Sequence, residues 1–91
     1  MYIIRGEHSG VFFGEVIARS GREVEIGNCR RLWYWDGAAS LSQIANEGVK
    51  RPENCKFTVP VDRITVLDAI EILACTEAAV ENIRGVREWR R

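Results

Sequence analysis

The sequence predicts an α+β domain: a mostly antiparallel sheet of about five to six strands with two short helices. Three observations predict it. Runs of β-branched and aromatic residues are separated by short Gly, Ser and Asp turns, the pattern of hairpin-connected strands. Two segments carry helix start and stop signals. The 91 residues, 46% hydrophobic and 29% charged, suit one globular domain, 1–91, and are too few for two.

The elements follow in order. Met1–Arg5 reads as a first strand and His8-Ser9-Gly10 as a turn. Val11–Ala18 is a second strand, rich in β-branched and aromatic residues, ended by the turn Ser20-Gly21-Arg22. Glu23–Ile26 alternates polar and apolar, as a strand with one wet face does. That strand is expected to continue to Trp35, with a bulge at Gly27, and Asp36-Gly37 closes it. Ser40 and Gln43 form a capping box for a helix from Ser40 to Glu47, and Gly48 sits where a left-handed C-cap residue belongs. Val49–Asn54 is a loop. Lys56–Val59 is a strand stopped by Pro60, which lacks a ladder donor. Ile64–Leu67 and Ala69–Ala74 are further strands, bent at Asp68. Thr76 caps a last helix whose buried stripe is Ala79, Val80 and Ile83, and Gly85 stops it.

The formal net charge is zero, which argues against a duplex-DNA binder. Of the 13 basic residues only Lys50 and Lys56 are Lys, so 13 − 2 leaves eleven arginines. Arginine grips phosphate or carboxylate with a planar fork and stacks on rings. The three cysteines, Cys29, Cys55 and Cys75, are widely spaced with no CxxC and no nearby His, so a zinc site is not expected and buried, reduced thiols are. No apolar run reaches the ~18–20 residues of a membrane span, and Met1–Arg5 lacks the order of a signal peptide. A cytoplasmic location is the expectation. A chain this short buries only about 60–65% of its unfolded surface, so a partner subunit would help it.

The densest candidate for binding is Asn28–Trp35. Strand alternation puts Arg31, Trp33 and Trp35 on one face and Arg30, Leu32 and Tyr34 on the other. Arginine for a phosphate, tryptophan for a flat base and Asn28 for a base edge or ribose hydroxyl make this a ligand-binding candidate. The competing reading is a core face and a dimer interface, where Trp, Tyr and Arg are equally at home. The last eight residues carry four Arg and one Glu, net +3, and Arg84 and Arg87 can clamp an anion; the blander reading is a solvated tail. Phe12 or Phe13 offers a stacking ring, with its neighbour in the core. His8 lies in a polar turn with no nucleophile suggested beside it, the acids are dispersed, and no P-loop, GxGxxG or HExxH pattern occurs. Binding without catalysis, cofactor or metal is therefore the expectation.

The stretches MYIIRGEHSGVFFGEV, NCRRLWYWDGAASLSQIANEGVK, CKFTVPVD and AIEILACTEAAVENI together resemble a family of small phage and prophage proteins, many of them domains of unknown function. Asn28–Ala38 is the most specific piece. The pattern is also similar to the phage Thoeris anti-defence family, type one. That resemblance implies a cytoplasmic sponge in an infected or lysogenic bacterium: a homo-oligomer that sequesters a cyclic nucleotide immune signal without cleaving it. The ligand would be a cyclic ADP-ribose isomer or a cyclic oligonucleotide. A small phage-encoded protein–protein interaction module, or inhibitor of a host protein, is the alternative. A single-stranded nucleic-acid binder is disfavoured by the zero net charge.

Overall fold

The computed structural model describes Met1–Arg91 and has the α+β architecture, with seven strands and two helices. β1 is Tyr2–Gly6, β2 Val11–Ser20 and β3 Glu23–Tyr34. Helix α1 spans Leu41–Glu47, and a single 3-10 turn, Pro52–Asn54, follows it. Then come β4 (Lys56–Thr58), β5 (Val61–Val66), β6 (Ala69–Ala74), α2 (Glu77–Gly85) and β7 (Glu88–Trp89). The sheet order is β6-β1-β2-β3-β4-β7, with β5 also on β3. All pairings are antiparallel except β4 with β7. The seventh strand, two residues long, comes from the arginine-rich tail. No helix is long and apolar enough to cross a membrane.

The long β2–β3 hairpin is bent by two bulges. The pair Phe13↔Arg30 is followed by Glu15↔Gly27, so β3 carries an extra residue at Asn28–Cys29. This is the bulge expected at Gly27, displaced by one position onto Asn28, whose φ is 47°. Asn tolerates that left-handed geometry better than most residues. Gly14 lies directly beneath: a Cβ there would meet Gly27 O at 2.7 Å. A second register shift, between Val16 and Ala18, marks a bulge at Ile17 on β2. Bulges add twist and bend the strand. The hairpin tip therefore returns to the start of β6, where the Ala69 amide donates to Arg22 O at 2.9 Å.

Curling gives the sheet two covered faces. Ile4, Phe12, Val24, Ile26, Cys29, Val66 and Ala69 pack inside the curl. Ile3, Phe13, Leu32 and Phe57 pack on the opposite face beneath the helical residues Ile44 and Ile83. Phe12 and Phe13 are each buried, one per core. The expectation that one of them would be free for a ligand is corrected, because both sides of β2 are occupied.

The helix ends form by local chemistry. The Ser40 hydroxyl accepts from Gln43 N at 3.2 Å. The Gln43 side chain reaches one residue further back than a standard capping box, to Ala39 N at 2.8 Å. Gly48 closes α1 through its amide on Ile44 O, at φ 78° and ψ −156°. That is an extended positive-φ conformation, open almost only to glycine, and not the left-handed helical well expected. Asn82 on α2 then pairs with both backbone groups of Val49, accepting at 2.8 Å and donating at 2.9 Å, which ties the two helices together. Thr76 caps α2 by accepting from Ala79 N at 3.1 Å.

Candidate functional site

The expected face grouping of Asn28–Trp35 holds only as far as Leu32. Leu32 pairs with Phe57 but Tyr34 pairs with Lys56, so β3 has an extra residue at Trp33. A bulge reverses the alternation beyond it. Trp35 consequently packs against the helix-side core with Leu32, instead of standing beside Trp33. Trp33 is left 62% exposed.

Arg30 serves the fold. It is 7% exposed, and its guanidinium donates to three backbone carbonyls. Nε reaches Thr58 O at 3.0 Å, Nη1 Ile83 O at 2.9 Å and Nη2 Phe57 O at 3.0 Å. Ile83 O belongs to the last turn of α2, where a cation also meets the negative end of the helix dipole. Burial lowers the Arg30 pKa, and the facing charge of Glu88 raises it in part. Arg31 lies on the opposite side. Its guanidinium covers the Phe12 ring, 4.7 Å from the centroid, and donates to Ser9 O at 3.1 Å. Of the phosphate-gripping pair read from sequence, both are engaged within the fold, and Phe12 is sealed beneath Arg31.

The exposed chemistry lies where the C-terminal strand meets β3 and β4. Glu88 and Trp89 pair in parallel with Phe57 and Thr58. This sets the Trp89 indole alongside Trp33, with ring centroids 6.4 Å apart and 10° between the planes. Lys56 Nζ stands 5.4 Å from the Trp89 ring and 6.0 Å from the Tyr34 ring. Arg91 Cζ lies 5.8 Å from Trp89. Neither Lys56 nor Arg91 has an acidic partner in an ion pair. Beside Trp89 opens a cleft of about 870 Å³ between the 3-10 turn and the C-terminal strand. Arg87, Arg90, Glu53 and Glu88 supply its charges, and Glu88 is already neutralised by Arg90 at 3.0 Å.

A smaller cavity of about 300 Å³ also borders Glu88, with Asn28, Arg30, Arg84 and Met1 in its lining. The structure therefore brings Asn28, Arg30 and Arg84 together, and it separates them from Trp33. Arg84 and Arg87 line different cavities, because the helix ends at Gly85 and the chain continues extended. Tyr34 falls within the Asn28–Trp35 candidate and Arg91 within the arginine-rich tail, but the sequence did not join them to Lys56 and Trp89 as one site. The tail tryptophan was the one available signal; nothing local announces a parallel pairing with β4.

Other perturbed groups are structural. Asp68 accepts from the Ser9 hydroxyl and from the His8 and Ser9 amides, which hold its carboxyl below the usual range. It thereby fastens the β5–β6 bend to the β1–β2 turn. Asp36 is lowered chiefly by the Asn54 amide and then by Arg51. Burial pushes the Cys29 thiol up to about 11, against a smaller opposing effect of Arg31.

A family model described as a domain of unknown function, DUF6948, matches residues 1–83. No curated protein and no solved structure matches the chain. The match takes in the core inside the curl, all of the helix-side core but Val86, the bulged hairpin and most of α2, and stops before the strand that carries Trp89. The chain belongs to the DUF6948 family of domains of unknown function.

Proposed function

We propose that this protein binds a small ligand combining a planar ring with an anionic group, and holds it without transforming it. One observation carries the reading: two nearly parallel tryptophans, Trp33 and Trp89, with Lys56 and Arg91 against the Trp89 ring, which also lines an open cleft. Stacking of a base on an aromatic ring contributes about 1–3 kcal/mol. Cations with no acid of their own can meet phosphate without first breaking an ion pair. Zero net charge favours a small anion drawn to a local patch over bulk nucleic acid.

The resemblance to the phage Thoeris anti-defence family gives this reading its specific form. The ligand would be a cyclic ADP-ribose isomer or a cyclic oligonucleotide, sequestered in the cytoplasm of an infected or lysogenic bacterium by a homo-oligomer. Equilibrium titration of the purified protein with each ligand class, followed by denaturation and chromatography of what is released, tests it. Tight binding and recovery of intact ligand support the sponge. A cleaved product would point to an enzyme, and no binding of any nucleotide would leave the second reading. That reading is a protein–protein interaction module. It is favoured by the same tryptophans, Trp33 exposed and Trp89 half-buried, since Trp and Arg also dominate protein interface anchors.

A further inference from the structure

We infer that the outer edge of β6 is where a second copy of this chain docks, by antiparallel pairing of β6 with β6. The inference names a surface for the homo-oligomer proposed above, and it holds whether or not a nucleotide binds.

β6 ends the sheet and pairs only with β1; the Ala69 amide at its start is taken by Arg22 O, and beyond it one row of backbone donors and acceptors has no strand beside it. Such an edge is a template for another strand, and proteins usually guard it with charge, proline or brevity. The other edges here are guarded. β5 begins after Pro60 and carries Asp62 and Arg63, and β7 is two residues long and followed by Arg90 and Arg91. β6 reads AIEILA, with no proline, glycine or lysine. Its one charge, Glu71, is already paired with Arg5 at 2.8 Å. Large apolar side chains lie open along it, Ile70 at 43% and Ile72 at 36% exposure, and Leu67 in the bend before it is 69% exposed.

The occupant follows from the chemistry of the edge. Only an extended strand satisfies a row of alternating amides and carbonyls, and a two-fold axis lets one sequence serve as both surfaces. Charge agrees. A groove of about 340 Å³ runs between β6 and the tip of the β2–β3 hairpin, bordered by both Arg19 and Glu71. Arg19 has no acidic partner within its own chain. A two-fold arrangement offers it the second carboxylate oxygen of the partner's Glu71, the one that Arg5 does not hold. The register shift at Ile70 restricts the pairing to the segment beyond it, centred on Ile72.

Light scattering after size exclusion on the full chain, over a concentration series, tests the inference together with hydrogen exchange of the β6 amides. A dimer is expected, with slow exchange from Glu71 to Ala74. Ile72→Lys should raise the dimer dissociation constant about 30-fold or more and free those amides, with far-UV circular dichroism unchanged. Should Ile72→Lys fail to fold, the wild-type exchange pattern decides. A wild-type monomer at every concentration, fast exchange along β6 in a dimer, or a folded Ile72→Lys dimer of undiminished affinity would each overturn it. Loss of the dimer with nucleotide affinity intact would separate this inference from the ligand reading.

Discussion

Trp89 lies almost parallel to Trp33, 6.4 Å from centroid to centroid, at the junction of the first-half strand β3 and the last strand of the chain. β4 lies between the two strands and pairs with both, which brings the rings to one place. If this pair receives a planar ligand, Trp33→Ala and Trp89→Ala should each weaken nucleotide binding by about 5- to 150-fold, the equivalent of one lost stack. Calorimetric titration reads the change directly. Equal affinity in both folded variants would remove the pair from the site.

Arg30→Ala should cost about 3 kcal/mol or more of unfolding free energy, because it strands three carbonyls that the guanidinium now satisfies. Arg30→Lys should recover only part, since an ammonium cannot span the same three acceptors. Arg84→Ala, on the exposed face of α2, should stay within about 0.5 kcal/mol. Urea midpoints at constant m compare the three. If Arg30→Ala melted like wild type, the buried guanidinium would not be a structural tie.

Asp68 predicts a pH dependence. Its folded pKa is depressed, so the unfolded chain takes up a proton at higher pH than the native one. The contribution is complete above the unfolded value of about 4 and disappears as pH falls through the lower folded value. Asp68→Asn should therefore lower Tm at neutral pH, and the gap from wild type should narrow in acid below about pH 4. A gap independent of pH would mean that the carboxylate charge is not what fastens the Ser9 turn.

Gly48→Ala should destabilise the fold by about 1–3 kcal/mol. The backbone conformation disfavours any side chain, and the new methyl would strike the Asn82 amide that clasps Val49. Thermal unfolding compares it with Gly85→Ala, where a Cβ meets nothing and φ is ordinary, so that change should be neutral or stabilising.

Much of this architecture was legible locally. Strand alternation around Val24 and Ile26, the Ser40 and Thr76 caps, and Ala79 with Ile83 on one helical face are short-range patterns. The neighbouring residues alone impose them. The site was less legible because each β3 bulge changes which side a residue faces. One extra residue at Trp33 was enough to turn Trp35 against the helix-side core.

The sequence by itself determined the class: an antiparallel sheet with two capped helices, unpaired cysteines of which Cys29 and Cys55 are buried and Cys75 only partly so, and arginine and tryptophan as the residues with binding chemistry. Tertiary structure alone decided which of those residues remain free. Arg30 met three carbonyls from distant segments, Arg31 met the Phe12 ring, and Trp89 met Trp33 through a parallel pairing formed only once β4 was in place. A side chain's type sets what it can bind. Its availability depends on contacts between segments far apart in the chain, which local spacing does not encode.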